Sequence, residues 1–365
     1  MSAFGSYPPE EVTFLVKDLS DVVLEMPTEE FEARIDRGQH YAELLPVEER
    51  QPPAEALTLF QRALARSARR LALAVGVATE AVLARHRRAP ILVSLSQTGT
   101  PIGILVRRWA AWRHQLALGH YTISIIRGRG IDANALRHIR ERHGDASLQF
   151  VDGWTGKGAI ARELAAALGR PPRRPAAGSA EGLAVLTDPG DCALVAGTRD
   201  DLLIPSACLN ATVCGLVSRT VVIPGLIGPD DFHGAKYYPE LAREDRSLRF
   251  LDAITTEFPA VRAEVDARRA GLDGGERAPS WAGWRHARQL AAEYQLDDVN
   301  LVKAGISETV RMLLYRVASR VLIRPGPEED LDDVLLLAAN HGVQVEERAD
   351  LRYASVGLMR PPPRT

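Results

Sequence analysis

A chain of 365 residues, 46% hydrophobic and 25% charged, has the make-up of an ordinary soluble globular protein with room for two domains. Its formal net charge of −2 gives no bulk electrostatic reason to bind nucleic acid or a membrane. Cys192, Cys208 and Cys214 form no CxxC pair and imply no disulfide framework. The start of the chain lacks a basic-then-apolar signal, and apolar runs such as 71–78 are too short to span a bilayer, so the expected setting is a reducing cytoplasm.

Residues 1–53, with paired prolines and many acids, read as an arm or lid, and 54–270 as one α/β domain. A long helix is predicted over 54–86, because Leu57, Phe60, Leu64, Leu71 and Val75 fall near a 3.6-residue period. Strands and helices then alternate. Strand 91–95 leads through a Thr-Gly-Thr-Pro turn to helix 102–116, and strand 121–126 through RGRG to helix 133–142. Strand 148–151 leads through a glycine turn to helix 159–168, and strand 183–186 precedes DPGDC. This order predicts a parallel sheet whose ligands bind beyond the carboxyl ends of its strands. A linker is placed at 271–289, its glycines and charges densest over 271–279. Residues 290–365 repeat a shorter βαβα pattern and read as a separate small domain: strand 299–302, helix 307–316, strand 320–324, helix 330–340, strands 343–346 and 352–359.

The stretch LQFVDGWTGKGAI (148–160) carries the most chemistry. An apolar strand ends in Asp152, a turn holds Thr155, Gly156, Lys157 and Gly158, and a helix follows. Converging backbone N–H groups, the positive end of the helix dipole and the absence of glycine side chains make such a turn an anion site. The spacing is neither GxxxxGK[ST] nor GxGxxG, and it suits a ribose 5-phosphate, with amides on the phosphate and Asp152 on the sugar hydroxyls. The plainer alternative is a glycine-rich strand–helix connection. Trp154 would shield the phosphate, stack on a base or simply pack. Asp188, at the end of the next strand, would touch ligand or cap a turn.

The turn resembles the ribose-phosphate loop of type I phosphoribosyltransferases. With it go FGSYPPEEVTFLVKDL (4–19), SLSQTGTPIGIL (94–105), HYTISIIRGRGID (120–132) and LIPSACLNATVCGLVSRT (203–220). Together these resemble the phosphoribosyltransferase-like proteins of bacterial tellurium-resistance gene clusters, a family labelled "cysteine protease StiP N-terminal domain". The likeness covers roughly residues 1–260. It implies a type I phosphoribosyltransferase-like parallel sheet and phosphoribosyl diphosphate or a related sugar phosphate as partner. It also implies Mg²⁺, carried by the ligand with Asp152 as the candidate protein contact, and transfer to an unidentified acceptor within a stress response. Ser94, Ser96, Gln97, Thr98, Gly99 and Thr100 would then form the diphosphate loop. Gln97 stands where many such loops carry Arg or Lys, and Arg127 and Arg129 would restore the charge. Asp152, Arg127 and Arg129 make up the implied catalytic set. Where phosphoribosyltransferases often have two adjacent acids, this chain has Asp152 and then Gly153.

The family label implies a second reading, a cysteine peptidase using Cys208 or Cys192 with His233 as base and Asn210 nearby. Against it, free cysteine is most often a small buried hydrophobe, and spacings of 16, 6 and 19 residues along Cys192, Cys208, Cys214 and His233 suit zinc poorly. Residues 290–365 resemble the Pelota-type α/β RNA-binding domain, most clearly in VKAGISETVRMLLYR (302–316). That implies RNA as a partner, its phosphates met by Lys303, Arg311, Arg316, Arg320 and Arg324, although the acid run 328–333 would repel a nearby backbone. A non-catalytic RNA-binding or stress-signalling module is therefore a third reading. A second copy of the chain is a further partner to consider, and a membrane is not.

Overall fold

A computed structural model of the chain describes residues 4–169, 182–270, 278–326 and 330–360. Six strands form its central sheet: β1 Thr13–Phe14, β2 Ile91–Leu95, β3 His120–Ile123, β4 Leu148–Trp154, β5 Leu183–Thr187 and β6 Val195–Thr198. They lie in the order β1-β3-β2-β4-β5-β6, every neighbour parallel. The middle strands are buried along nearly their whole length, which is why they read as continuous apolar runs rather than alternating ones. The expected α/β class and parallel sheet are present.

Residues 4–50 are more than an arm. β1 supplies the edge of the sheet, and α1 Thr28–Asp36 sets Phe31 in a buried position. A two-residue strand leaves no period-2 pattern to find, so the sequence hid it. Helices cover both faces of the sheet. α2 Ala54–Arg85 and α3 Ser96–His114 lie on one side, where Phe60, Leu71 and Trp109 pack with Leu92 and Val151. α4 Ala133–His143 and α5 Ala159–Ala167 cover the other, where Ile139 and Leu164 meet Val93, Ile123 and Phe150. α6 Ser247–Thr256 and α7 Phe258–Ala270 close the first side behind α2 and α3.

Two boundaries moved, with consequences for the site. α3 begins at Ser96, directly after β2, so the expected Thr-Gly-Thr-Pro turn is helical. Pro101 keeps a helix-compatible φ and forfeits one backbone bond, a local loss that the packing of α3 on the sheet offsets. β4 runs on to Trp154, so Asp152 sits in the sheet, paired in register with Val185.

The carboxyl-terminal part begins earlier than the sequence suggested. Residues 271–277 lie outside the described residues, but α8 Ala282–Glu293 occupies much of the segment read as linker. Its Ala287, Leu290 and Ala291 pack on one face of a four-stranded sheet. The strands are β7 Val302–Ala304, β8 Ala318–Ile323, β9 Gln344–Glu347 and β10 Ser355–Met359, in the order β7-β10-β8-β9. β8 and β9 are parallel, and the other pairs antiparallel.

On the opposite face lie α9 Ile306–Tyr315 and α10 Leu331–Asn340. Their Val310, Leu313, Val334 and Leu337 belong to the same apolar cluster as Phe60, Leu64, Leu203 and Leu209 of the first domain. The piece read as separate therefore shares a core with its neighbour. Arg62, Arg66 and Arg70 of α2 grip Asp330 and Asp333, whose carboxylates are almost fully buried. Asp201 reaches across as well, accepting from the N–H groups of Ile306 and Ala354 at 2.9 Å each. Two acids of the run expected to repel RNA are thus spent on the domain joint.

Candidate functional site

At the carboxyl end of the sheet, β4 delivers Asp152 and Trp154 to a cavity of about 320 Å³. Three parts of the chain enclose it. The turn 155–158 and the start of α5 form one wall, Thr28, Phe31, Pro46 and Glu49 a second, and Lys303, Glu308, Arg311, Tyr315 and Arg316 a third. The turn is shaped for close approach. Gly158 has φ +83, and a Cβ on Gly156 would lie 2.3 Å from the Ala304 carbonyl oxygen of the other domain. α5 starts with no side-chain cap, leaving its first N–H groups and positive dipole end at the cavity.

The lining is cationic: Arg127, Lys157, Arg219, Lys303, Arg311 and Arg316 against Glu49, Asp152 and Glu308. Where each cation is spent decides what the cavity can do. Arg219 donates to the carbonyls of Tyr41 and Leu44 at 3.2 and 2.7 Å. Arg311 holds the Ala207 and Leu209 carbonyls and the Asn210 side chain, and Arg316 pairs with Glu32 at 2.8 Å. These three brace the walls. Lys157 gives one bond of 2.7 Å to the Val302 carbonyl.

Arg127 and Lys303 are different. The Arg127 guanidinium lies over the Tyr41 ring, 5.3 Å from its centroid, and neither it nor the Lys303 ammonium has a hydrogen bond or ion pair with any described residue. Burial, then Arg127, lowers Lys157 to about 8; burial, then Lys157 and Arg127, holds Lys303 well below the usual lysine range. Burial pushes Asp152 up to about 7, against hydrogen bonds from Thr98 at 2.5 Å and from the Gly153 amide at 2.7 Å. Burial would raise Glu308 too, but Lys303 and Lys157 outweigh it and hold that carboxyl low. Trp154 donates its indole N–H to Glu308 at 3.0 Å, across the joint.

The expected residues divide sharply. Asp152, Trp154, Thr155, Gly156, Lys157, Gly158, Arg127, Thr98 and Asn210 line the cavity. Asp188 does not. Fully buried, it takes the Thr155 hydroxyl, the amides of Cys192 and Ala193 at 2.9 Å each, and Arg199, so it holds the turn from behind.

The presumed diphosphate loop is corrected to a strand end and a first helical turn, from which Thr98 reaches the cavity. Ser94 is buried and bonded to His120 at 2.7 Å and to the Gly99 carbonyl at 2.9 Å. Thr100 is buried against Thr122 at 3.0 Å, and Gln97 donates to Glu49 and the Val217 carbonyl. Ser96 opens the helix, and Gly99 is part of it and not of the lining. Arg129 leaves the site to pair with Glu43.

Nor do the five basic residues of the carboxyl-terminal part share an open face. Lys303, Arg311 and Arg316 turn into the cavity, Arg320 pairs with Glu346, and Arg324 bonds the Arg352 carbonyl. As site members Glu308, Arg219, Phe31 and Glu49 had no signal in the sequence, since only the packing of three segments brings them to one place.

The cysteines are exposed by 2% (Cys192), 0% (Cys208) and 3% (Cys214). Burial pushes Cys192 and Cys214 up to about 12 and Cys208 higher still. The Cys192 thiol bonds the Gly190 carbonyl at 3.3 Å, and His233 bonds Ser124 at 2.8 Å. No imidazole hydrogen-bonds to Cys192 or Cys208 among the described residues. The folded chain is therefore expected to resist iodoacetamide at pH 8 and to be alkylated fully only after denaturation, as mass spectrometry would read. Stoichiometric alkylation of Cys208 or Cys192 in the native state would contradict this arrangement.

Fold and cavity define a two-domain α/β protein with a cationic site at its domain joint. Residues 5–255 match the family described as "Tellurite-like stress resistance cysteine protease StiP", and residues 281–361 match the "PELOTA RNA binding domain". Over 340 residues the chain is 35% identical to the "Cysteine protease StiP" of Acinetobacter baylyi, covering 89% of this chain and 85% of that protein. The chain belongs to the StiP family and carries a Pelota-type domain at its carboxyl end. The names of the family and of this relative are those of a protease, not of the glycosyl transfer expected from the phosphate turn. Among the described residues no helix is long and apolar enough to cross a membrane.

Proposed function

We propose that the cavity binds a phosphorylated, hydroxylated small molecule of the sugar-phosphate class, with phosphoribosyl diphosphate the leading candidate and glycosyl transfer the reaction. The observation that carries this reading is the pair Arg127 and Lys303, basic groups with no hydrogen bond or ion pair to any described residue, which face the same cavity as an uncapped helix start and feel the Glu308 charge only across it. In such a reaction they would neutralise a leaving diphosphate while Asp152 orients the sugar. The donor set does not fit a resident Mg²⁺: no cluster of three His, Cys, Asp or Glu residues among those described suits a metal, and the lining is rich in cations. A magnesium ion would arrive with the ligand.

Calorimetric titration with phosphoribosyl diphosphate, ribose 5-phosphate and inorganic phosphate tests the reading. Lys303→Ala and Arg127→Ala should each weaken binding by about tenfold or more, since a hydrogen bond to a charged group is worth about 1.5–3 kcal/mol. Affinity should also fall as pH rises through about 8, where Lys157 loses the proton that attracts the anion. Absence of binding by all three compounds would end the proposal.

The family's name supports a second reading, peptide cleavage by a cysteine. That chemistry needs a thiolate beside a base, and stoichiometric labelling of one native cysteine by an electrophilic peptide would establish it. The Pelota description likewise brings RNA to this chain as a proposal. Its phosphates would meet cations outside the cavity, such as the exposed Arg288 on α8, and binding by the full chain should weaken as salt rises.

A further inference from the structure

We propose that Glu308 is the second sugar-binding carboxylate of the cavity, contributed by the Pelota-type domain, so that two neighbouring hydroxyls of the ligand are held between Asp152 and Glu308. This rests on the sugar-phosphate reading above. β4 itself brings a single acid, because the residue after Asp152 is Gly153. Each carboxylate has one oxygen committed to holding its position. Asp152 Oδ1 accepts from Thr98 and from the Gly153 amide, and Glu308 Oε1 accepts from the Trp154 indole at 3.0 Å. No described residue donates a hydrogen bond to Asp152 Oδ2 or Glu308 Oε2, and both side chains line the cavity.

The two charges lie near enough to oppose each other: the Glu308 charge adds to the burial that raises Asp152. A vicinal diol answers this arrangement. It offers two O–H donors on adjacent carbons, one to each free oxygen, and a hydrogen bond to an ionised acceptor is about twice as strong as a neutral one. The same ligand's phosphate would meet Lys303 and Arg127, which suits a phosphorylated polyol better than a bare anion. Trp154 acts as a positioning residue, since its indole fixes the Glu308 side chain to the end of β4.

The test is calorimetric titration of the full chain with ribose 5-phosphate, 2-deoxyribose 5-phosphate and inorganic phosphate. The natural chain should prefer the diol-bearing sugar by about tenfold, the equivalent of about 1.4 kcal/mol. Glu308→Gln, which can keep its oxygen on the Trp154 indole and turn an NH₂ to the cavity, should lose most of that preference and keep its affinity for inorganic phosphate. Trp154→Phe, which frees Glu308 without removing it, should lose part of the preference, and it provides the reading if Glu308→Gln does not fold. Binding of phosphate compounds with no preference between the sugars, or a folded Glu308→Gln that keeps the preference, would overturn the role of Glu308 and leave the phosphate site standing. Failure of all three compounds to bind would overturn both proposals.

Discussion

Removing Arg62 and Arg66 together is expected to lower the stability of the folded chain by about 3 kcal/mol or somewhat more, the lower part of the range for breaking a buried ion pair. Both arginines donate to Asp333, whose side chain is 1% exposed and sits where α10 meets α2. The carboxylate would then stay inside the joint with its charge uncompensated. The lower part of the range applies because the arginine side chains are themselves 44% and 26% exposed and partly solvated. Chemical denaturation at neutral pH, followed by tryptophan fluorescence, provides the measurement. Adding Asp333→Leu to the double substitution should recover most of the loss, because a well-packed apolar side chain costs less there than an unpaired charge. A loss below about 1 kcal/mol, the value typical of a surface pair, would show that the joint does not depend on this contact.

Gly156→Ala should couple the joint to the cavity in one step. The added Cβ would stand 2.3 Å from the Ala304 carbonyl oxygen, a backbone atom that moves only if β7 moves. Overpacking of this kind costs about 1–3 kcal/mol. β7 also carries Lys303, so phosphate affinity should drop with stability. Matched melting curves and titrations of the natural chain and Gly156→Ala would check both effects. Unchanged stability with unchanged affinity would mean that the turn and β7 are not in contact in solution.

Much of the architecture was legible before any coordinates. Apolar runs such as 91–95 and 183–186 are buried on both faces, and burial of that kind leaves a local record. The long periodic helix and the glycine turn at 155–158 were readable for the same reason, since period and turn chemistry are properties of neighbouring residues. Where the reading slipped, a local rule had met a tertiary contact. Pro101 suggested a helix starting after it, and α3 instead starts at Ser96 and carries Ser94 and Thr100 into buried bonds. The cysteine spacing was silent on reactivity, which burial decides.

By itself the sequence determined the α/β class, the parallel sheet, the glycine turn between β4 and α5 and the presence of a Pelota-type segment. Only the tertiary structure decided that Lys303, Glu308, Arg311 and Arg316 line the same cavity as that turn. A helical period shows that α9 has a polar stripe, but not what lies opposite it. The shared apolar core and the grip of Arg62, Arg66 and Arg70 on Asp330 and Asp333 press that stripe against the first domain. Contacts between residues more than a hundred positions apart set the direction in which charge faces, and no local pattern encodes them.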